Sequence, residues 1–438
     1  MNFKTLCVLG LGYIGLPTAS TFATHGLNVI GVDINAHVIE TLRNGGIHLH
    51  EPGLRTLVEA AFKSGHLRVS QQPAEADAFI IAVPTPFLDD RYGEYEGRFY
   101  KMADLSAVKA ASEAIVPYLR KGNLVVLEST SPPGTTEKVV APILERSGLK
   151  AGVDFYLAYS PERVLPGQIL RELIENARVI GGVTPESARA GRDLYATFVK
   201  GEIVLTDATT AEMVKLMENT YRDVNIAIAN EFARLAERLG VNVWEAIALA
   251  NRHPRVKILS PGPGVGGHCI SVDPWFLVEA APDLAQLIRT AREVNDGQPR
   301  FVVEKVRKAL GGELRDRRIA ALGLAYKPDV DDLRESPAIE VIHLLQREGA
   351  RVKAFEPFKP DAHVEGVFAV PTLEQALAEA ELILVLVRHT TFLQLEPQAI
   401  AAQTPARLIV DTVNAWDAAR WQAAGFRLWR LGDGKEQG

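Results

Sequence analysis

The distribution of apolar and polar positions changes character twice along the 438 residues. In the N-terminal part, short unbroken apolar runs recur at Thr5–Leu9, Asn28–Val32, residues 78–83, Leu124–Leu127 and residues 155–159, each followed by a turn or a helical stretch. Runs of this kind predict strands buried on both faces, as in a parallel sheet covered by helices. Around Thr206 the alternation stops. Thr209-x-x-Glu212 has the form of a capping box, and neither Pro nor Gly interrupts residues 209–239, which predicts one helix of about 30 residues. Along it Val214, Met217, Tyr221, Val224, Ile228, Phe232 and Leu235 recur mostly at three and four, the spacing of a single buried stripe. Residues 243–249, 287–295 and 301–310 are helical in pattern too. At Gly311-Gly312 the α/β alternation resumes, with strands predicted at Arg318–Leu322, residues 352–355, residues 382–387 and Leu408–Asp411.

The first predicted strand runs into Gly10-Leu11-Gly12-Tyr13-Ile14-Gly15, then a helix to His25, a second strand and Asp33. In that context GxGxxG reads as a dinucleotide fingerprint rather than a ligand-free turn. Gly10 permits the tight turn, Gly12 lets backbone reach a pyrophosphate, Gly15 lets helix pack on strand, and the helix start at Tyr13 and Ile14 offers free N–H groups. Asp33 lies about 20 residues beyond the glycines, where a carboxylate accepts from the adenosine ribose and repels a 2′-phosphate. NAD is favoured over NADP. Cys7, inside the first strand, reads as plain core. Residues 318–356 repeat this layout and end in Glu356, but lack the full glycine set, which suits a mononucleotide portion of a substrate. The expected fold is α/β: an N-terminal Rossmann domain in residues 1–205, a central all-helical domain with one long helix in 206–310, and a C-terminal Rossmann-like domain in 311–438.

Ligands of open parallel sheets sit at the carboxyl ends of strands. Thr85 and Thr130 follow such ends and are either ordinary turn hydroxyls or groups facing the cofactor and the reacting carbon. Ser160-Pro161-Glu162-Arg163-Val164 follows another, and Glu162 is a candidate for water activation. On the long helix Lys215, Asn219, Asp223 and Asn230 line up; Lys215 and Asn219, at i and i+4, would set an ammonium beside an amide, two donors suited to a developing oxyanion. Residues 261–274 put Cys269 into a loop with four glycines, where a thiol is accessible and backbone approaches a ligand closely. Cys269 is therefore the candidate nucleophile. Lys327 and Arg334 flank a strand end suited to phosphates, and Arg289, Arg292 and Arg300 are available for phosphate or a subunit contact.

Composition narrows this picture. With 47% hydrophobic and 23% charged residues the chain is that of a soluble globular protein, and its net charge of −6 argues against a nucleic-acid partner. Two distant cysteines provide neither a disulfide framework nor a zinc site, and His253 and His268 lack ligand spacing, so no metal is expected. No signal-peptide layout precedes the first strand, and no apolar run reaches the roughly 18 residues needed to span a bilayer. The expectation is a cytoplasmic protein with no membrane partner.

Taken together, GLGYIG, STSPPG, SPER, AEMVKLMEN, GPGVGGHCISVDP and GLAYKPDVDDLRESPA resemble the nucleotide-sugar 6-dehydrogenases of the UDP-glucose/GDP-mannose dehydrogenase family across essentially the whole chain. VLPGQ, NRHPRV, VDPWF and RTAREVND are similar to the branch acting on UDP-N-acetyl-D-mannosamine. The resemblance implies a UDP-sugar whose C6 alcohol is oxidised twice with NAD, the aldehyde being captured by Cys269 as a thiohemiacetal, oxidised to a thioester and hydrolysed. It implies Lys215 and Asn219 as stabilisers of alkoxide and oxyanion, Asp273 in proton transfer, and Glu162 and Thr130 positioning water. Cofactor contacts would come from Gly10, Gly12, Tyr13, Ile14, Gly15, Asp33, Thr85, Thr130 and Arg334, and substrate contacts from Glu162, Arg163, Val164, Lys215, Asn219, Arg255, Gly266 and Lys327. The site is expected in the cleft between the two Rossmann units, and a homodimer through the long helix. Arg163 stands where glucose enzymes carry an apolar aromatic, and Val272 where they carry Lys, which disfavours UDP-glucose; UDP-N-acetylglucosamine and UDP-glucose are the alternatives within the family. Outside it stand a two-electron hydroxyacid dehydrogenase, which needs neither a loop cysteine nor a second nucleotide unit, and a catalytically silent NAD sensor.

Overall fold

Leu6 and Val8 feed one hydrophobic core and Cys7 and Leu9 another, so the first strand is covered on both faces, as its unbroken apolar run requires. The computed structural model describes residues 1, 3–49, 51–165, 167–267 and 269–435, and no side chain at 89; Pro166 of the PERVLPG run and His268 lie outside the described residues. The chain divides into two compact units, residues 1–218 with 275–284, and residues 219–274 with 285–438.

The first unit is built on an eight-stranded sheet in the order Ile203–Asp207, Arg178–Gly182, Tyr156–Tyr159, Leu124–Leu127, Ala78–Ile81, Thr5–Leu9, Asn28–Val32, Leu67–Ser70. Neighbours are parallel except Tyr156–Tyr159 and Arg178–Gly182, which run antiparallel with Tyr159 opposite Gly181. That reversal brings the start of Arg178–Gly182 to the carboxyl edge of its neighbour. A separate hairpin, Phe87–Tyr95 with Arg98–Ala103, was not apparent from the apolar pattern. Glu96 and Gly97 at its tip both have positive φ, the two-residue turn matching strand twist. The second unit carries a five-stranded parallel sheet in the order Arg351–Phe355, Arg318–Leu322, Leu382–Val385, Leu408–Asp411, Arg427–Arg430. The helix Gln298–Ala309 sends Val302, Val303 and Val306 into the core of that sheet.

The long helix spans Ala208–Leu239, 32 residues, and corrects two expectations. Thr209 and Glu212 form no capping box. Asp207 caps the helix, accepting from the Thr210 N–H at 2.8 Å and hydroxyl at 2.6 Å. Glu212 is buried and accepts instead from the N–H groups of Gly134 and Thr136 and the Thr136 hydroxyl, satisfying the start of another helix. Nor is the large apolar stripe buried: Met217, Tyr221, Ile228, Phe232 and Leu235 are exposed, Tyr221 at 68%. The buried face holds Ala211, Leu216, Ala227, Ala229, Ala233 and Ala236, with polar Asn219, Asp223 and Asn230 among them. Arg292 is not available for phosphate or a subunit either. It is buried and ion-paired with Asp223 at 2.6 Å, while Asn230 joins Asn295, Gln298 and the Gly262 N–H. Arg289 is wholly buried.

Candidate active site

In the first unit, Gly10 has φ +94°, and a Cβ there would lie 2.3 Å from the Ala82 carbonyl oxygen. A Cβ on Gly15 would lie 1.8 Å from the Gly10 carbonyl oxygen, whereas one on Gly12 would meet nothing within 4 Å. Two glycines are thus required by packing, and the third leaves its backbone open to a ligand, as a pyrophosphate at a helix start requires. Asp33 ties this loop down, accepting from the Leu11 N–H at 3.0 Å and the Asn35 N–H at 2.9 Å. The residues present fit a dinucleotide. Cys7 is core, its thiol pushed up to about 11 by burial.

At neighbouring strand ends the Thr85 hydroxyl donates to the Thr130 carbonyl at 2.6 Å, and the Ser129 hydroxyl stitches both segments by donating to the Val83 carbonyl at 2.7 Å. Glu162 is buried; its carboxylate accepts from the Arg163 N–H at 2.8 Å and pairs with Arg178 at 2.7 Å. Arg163 forks onto Glu218 of the long helix and donates to the Ala177 carbonyl at 3.1 Å. Val164 and Lys215 are half-buried.

In the second unit Asn219, Asp273 and Cys269 come together. The Asn219 amide N–H₂ donates to Asp273 and its oxygen accepts from Arg222. The Asp273 N–H donates to the Cys269 carbonyl at 2.8 Å, closing a turn that leaves the thiol exposed. The glycines of residues 261–274 serve this chain more than a ligand: a Cβ on Gly266 would meet the Glu335 carbonyl oxygen at 2.5 Å, and one on Gly267 the Tyr326 ring at 2.8 Å. Close approach was legible from the glycines, and its partner was not. Tyr326 is the residue that sequence reasoning missed. Burial first, then the charges of Asp332 and Cys269, push its phenol up to about 12, so it stays a neutral donor near the thiol. Its only signal was position, at the end of a strand turn. Lys327 lies over the Tyr326 ring at 5.6 Å. Both line a cavity of about 460 Å³, together with Trp244, Pro263, Arg388 and Asn414. Arg334 is exposed and forks onto Asp332 at 2.8 and 2.6 Å. Arg255 is exposed, outside any element.

Glu356 stands where Asp33 stands in the first unit, but its carboxylate is consumed by the protein. It accepts from the Leu324 and Ala325 N–H groups at 2.8 and 2.9 Å and from His389 at 3.1 Å, and is buried. Its other oxygen accepts from the Phe358 N–H at 3.0 Å, so this carboxylate ties its own strand turn together much as Asp33 does, with His389 as an added partner. Among the described residues no group of three or more His, Cys, Asp or Glu could hold a metal ion, and no helix is long and apolar enough to cross a membrane.

Family models match the chain in three consecutive segments of the UDP-glucose/GDP-mannose dehydrogenase family: the NAD binding domain over residues 4–199, the central domain over 209–297 and the UDP binding domain over 320–418. UDP-N-acetyl-D-mannosamine dehydrogenase of Methanocaldococcus jannaschii is 49% identical over 435 residues, 99% of this chain and 97% of that protein. NDP-N-acetyl-D-galactosaminuronic acid dehydrogenase of Ralstonia solanacearum is 48% identical over 97% of this chain and 99% of that one. The solved structure of UDP-D-ManNAc dehydrogenase from Pyrococcus horikoshii superposes with a TM-score of 0.89 at 41% identity, covering 98% of this chain and 100% of that one. A dinucleotide loop, a nucleotide-sized cavity and an exposed loop thiol are thus accompanied by the models of all three domains: this enzyme belongs to the UDP-glucose/GDP-mannose dehydrogenase family.

Proposed function

We propose that the enzyme oxidises the C6 hydroxyl of UDP-N-acetyl-D-mannosamine to the carboxylate, giving UDP-N-acetyl-D-mannosaminuronate. The observation that carries this reading is the exposed thiol of Cys269 in the unit that also holds the nucleotide-sized cavity, in a chain 49% identical to an enzyme of that name. NAD, when bound, supplies the hydride acceptor for each of two oxidations. Gly10, Gly12, Tyr13, Ile14, Gly15, Asp33, Thr85 and Thr130 hold it, and Arg334 is the remaining proposed cofactor contact. Lys327 takes the nucleotide side of the substrate, and Arg163, Val164, Arg255 and Gly266 contact its remainder.

Lys215 and Asn219 stabilise the alkoxide and later oxyanions. The Cys269 sulfur adds to the C6 aldehyde while its proton passes to Asp273, which returns it to the former carbonyl oxygen to give the hydroxyl of a thiohemiacetal. That sp3 carbon again bears a hydrogen, which leaves as hydride in the second oxidation, the hydroxyl proton departing to give a thioester. Water attacks the thioester carbon, positioned by Thr130 and losing its proton toward Glu162; the C–S bond breaks and the Cys269 thiolate leaves. Asn219 and Arg163 exchange their partners Asp273 and Glu218 for the substrate as it binds. The exposed apolar stripe of the long helix is the proposed homodimer face, and the cytoplasm, which keeps thiols reduced, is the proposed compartment.

A second reading, a different N-acetylhexosamine, is favoured by the Ralstonia relative at nearly equal identity. NADH formed per sugar over a panel of UDP-sugars tests both. Two NADH per sugar, with highest kcat/KM for UDP-N-acetyl-D-mannosamine, is expected. A ratio near one removes the four-electron reading, and preference for another sugar removes the sugar assignment alone.

A further inference from the structure

Behind Glu162, in the first unit, stands a buried group of charges that the scheme above does not use. Arg178 opens the strand Arg178–Gly182, and the antiparallel register that pairs Tyr159 with Gly181 continues to set Arg178 opposite Glu162. Its guanidinium is 4% exposed and donates to Glu162 at 2.7 Å, to the Ser160 hydroxyl at 3.1 Å and to Glu128 at 3.3 Å. Glu128 ends the strand run Leu124–Leu127, is fully buried in its side chain, accepts from the Tyr195 hydroxyl at 2.9 Å, and keeps its Oε2 without a hydrogen-bond partner. The Tyr195 ring packs under the guanidinium, 4.3 Å from Cζ to centroid.

We propose that Arg178 is the positioning residue for Glu162, and that Glu128 and Tyr195 hold Arg178 from behind, so that this buried set aims the carboxylate that handles the hydrolytic water. The proposal rests on the assignment of Glu162 made above. One guanidinium needs only one buried carboxylate for neutrality, and a second is costly in a low dielectric unless it has work to do. Burial pushes Glu128 up to about 7, so on the acid side of neutrality the set holds a proton and carries no uncompensated charge. With Oε2 of Glu162 on Arg178 and Oε1 on the Arg163 N–H, both oxygens are pinned. As water bonds the thioester carbon, its proton meets a carboxylate that cannot rotate away.

The test uses full-length enzyme with NAD and UDP-N-acetyl-D-mannosamine, reading kcat, KM and, after acid quench, the intact mass of the Cys269 acyl adduct. Arg178→Lys is expected to lower kcat on the order of 100-fold, the low end of what a positioned proton-transfer group contributes, with acyl-enzyme accumulating and KM falling in parallel so that kcat/KM is nearly unchanged. Glu128→Ala removes the acceptor of both Tyr195 and Arg178 and is expected to accumulate adduct in the same sense; it decides the matter if Arg178→Lys does not fold. Glu162→Gln is the reference. If Glu162→Gln stalls with adduct while Glu128→Ala and every folded Arg178 variant turn over at the wild-type rate without it, the positioning role is overturned and the Glu162 assignment stands. If Glu162→Gln itself turns over normally without adduct, that assignment fails and the positioning role with it.

Discussion

Gly15→Ala and Gly12→Ala make opposite demands on the same loop. A Cβ at Gly15 would sit 1.8 Å from the Gly10 carbonyl oxygen, and real Cβ contacts essentially never fall under 3.0 Å. The Gly10 peptide has little room to retreat, because even a Cβ on it would lie 2.3 Å from the Ala82 carbonyl oxygen and its N–H donates to the Val32 carbonyl at 2.8 Å. The helix start must therefore move away from the strand, carrying with it the N–H groups that face the pyrophosphate. Overpacking of this kind costs about 1–3 kcal/mol, and about 1.4 kcal/mol is tenfold in affinity. Gly15→Ala is expected to lower the melting temperature and to raise the Kd for NAD on the order of 10- to 100-fold. At Gly12 the Cβ meets nothing within 4 Å, so Gly12→Ala should leave the melting temperature unchanged and weaken NAD alone. Fluorescence titration of NADH with differential scanning fluorimetry reads both. Wild-type NAD affinity in Gly15→Ala, or equal destabilisation by the two substitutions, refutes the reasoning.

Two further outcomes are expected. Burial raises the Glu128 carboxyl to about 7 from its ordinary value of 4.5. A carboxyl with a raised folded-state pKa contributes stability that is fully present below about 4.5 and lost as pH rises through about 7. The melting temperature of Glu128→Gln relative to wild type should therefore climb between pH 5 and pH 8, and parallel curves would sink that assignment. On the exposed stripe, Tyr221→Glu with Ile228→Glu should convert a dimer to a monomer on size-exclusion chromatography with light scattering, without loss of helical circular dichroism; an unchanged mass removes this face as the interface.

What was legible in the sequence follows from how local each constraint is. The fingerprint of residues 10–15 reads correctly because its glycines answer to backbone geometry within one turn, and Leu124–Leu127 because a strand buried on both faces must be apolar throughout. The long helix misleads because its buried face is alanine and polar residues, which carry little hydropathy, while its large apolar residues face out. Glu212 has capping-box spacing, yet its acceptors' partners, Gly134 and Thr136, lie far away in sequence. Arg178 opens a strand that the apolar pattern did not single out. Only the antiparallel pairing, invisible in an apolar pattern, carries it to Glu162. Glu356 and Asp33 are alike in sequence position and differ in what occupies them, which depends on His389 from another strand end.

The central claim is covalent capture by Cys269, and product analysis of Cys269→Ser with UDP-N-acetyl-D-mannosamine and NAD tests it most directly. No uronate by nuclear magnetic resonance and no acyl adduct by intact mass, in a protein that still binds NADH with wild-type affinity, is the predicted result. Full conversion to the uronate by Cys269→Ser would contradict the account.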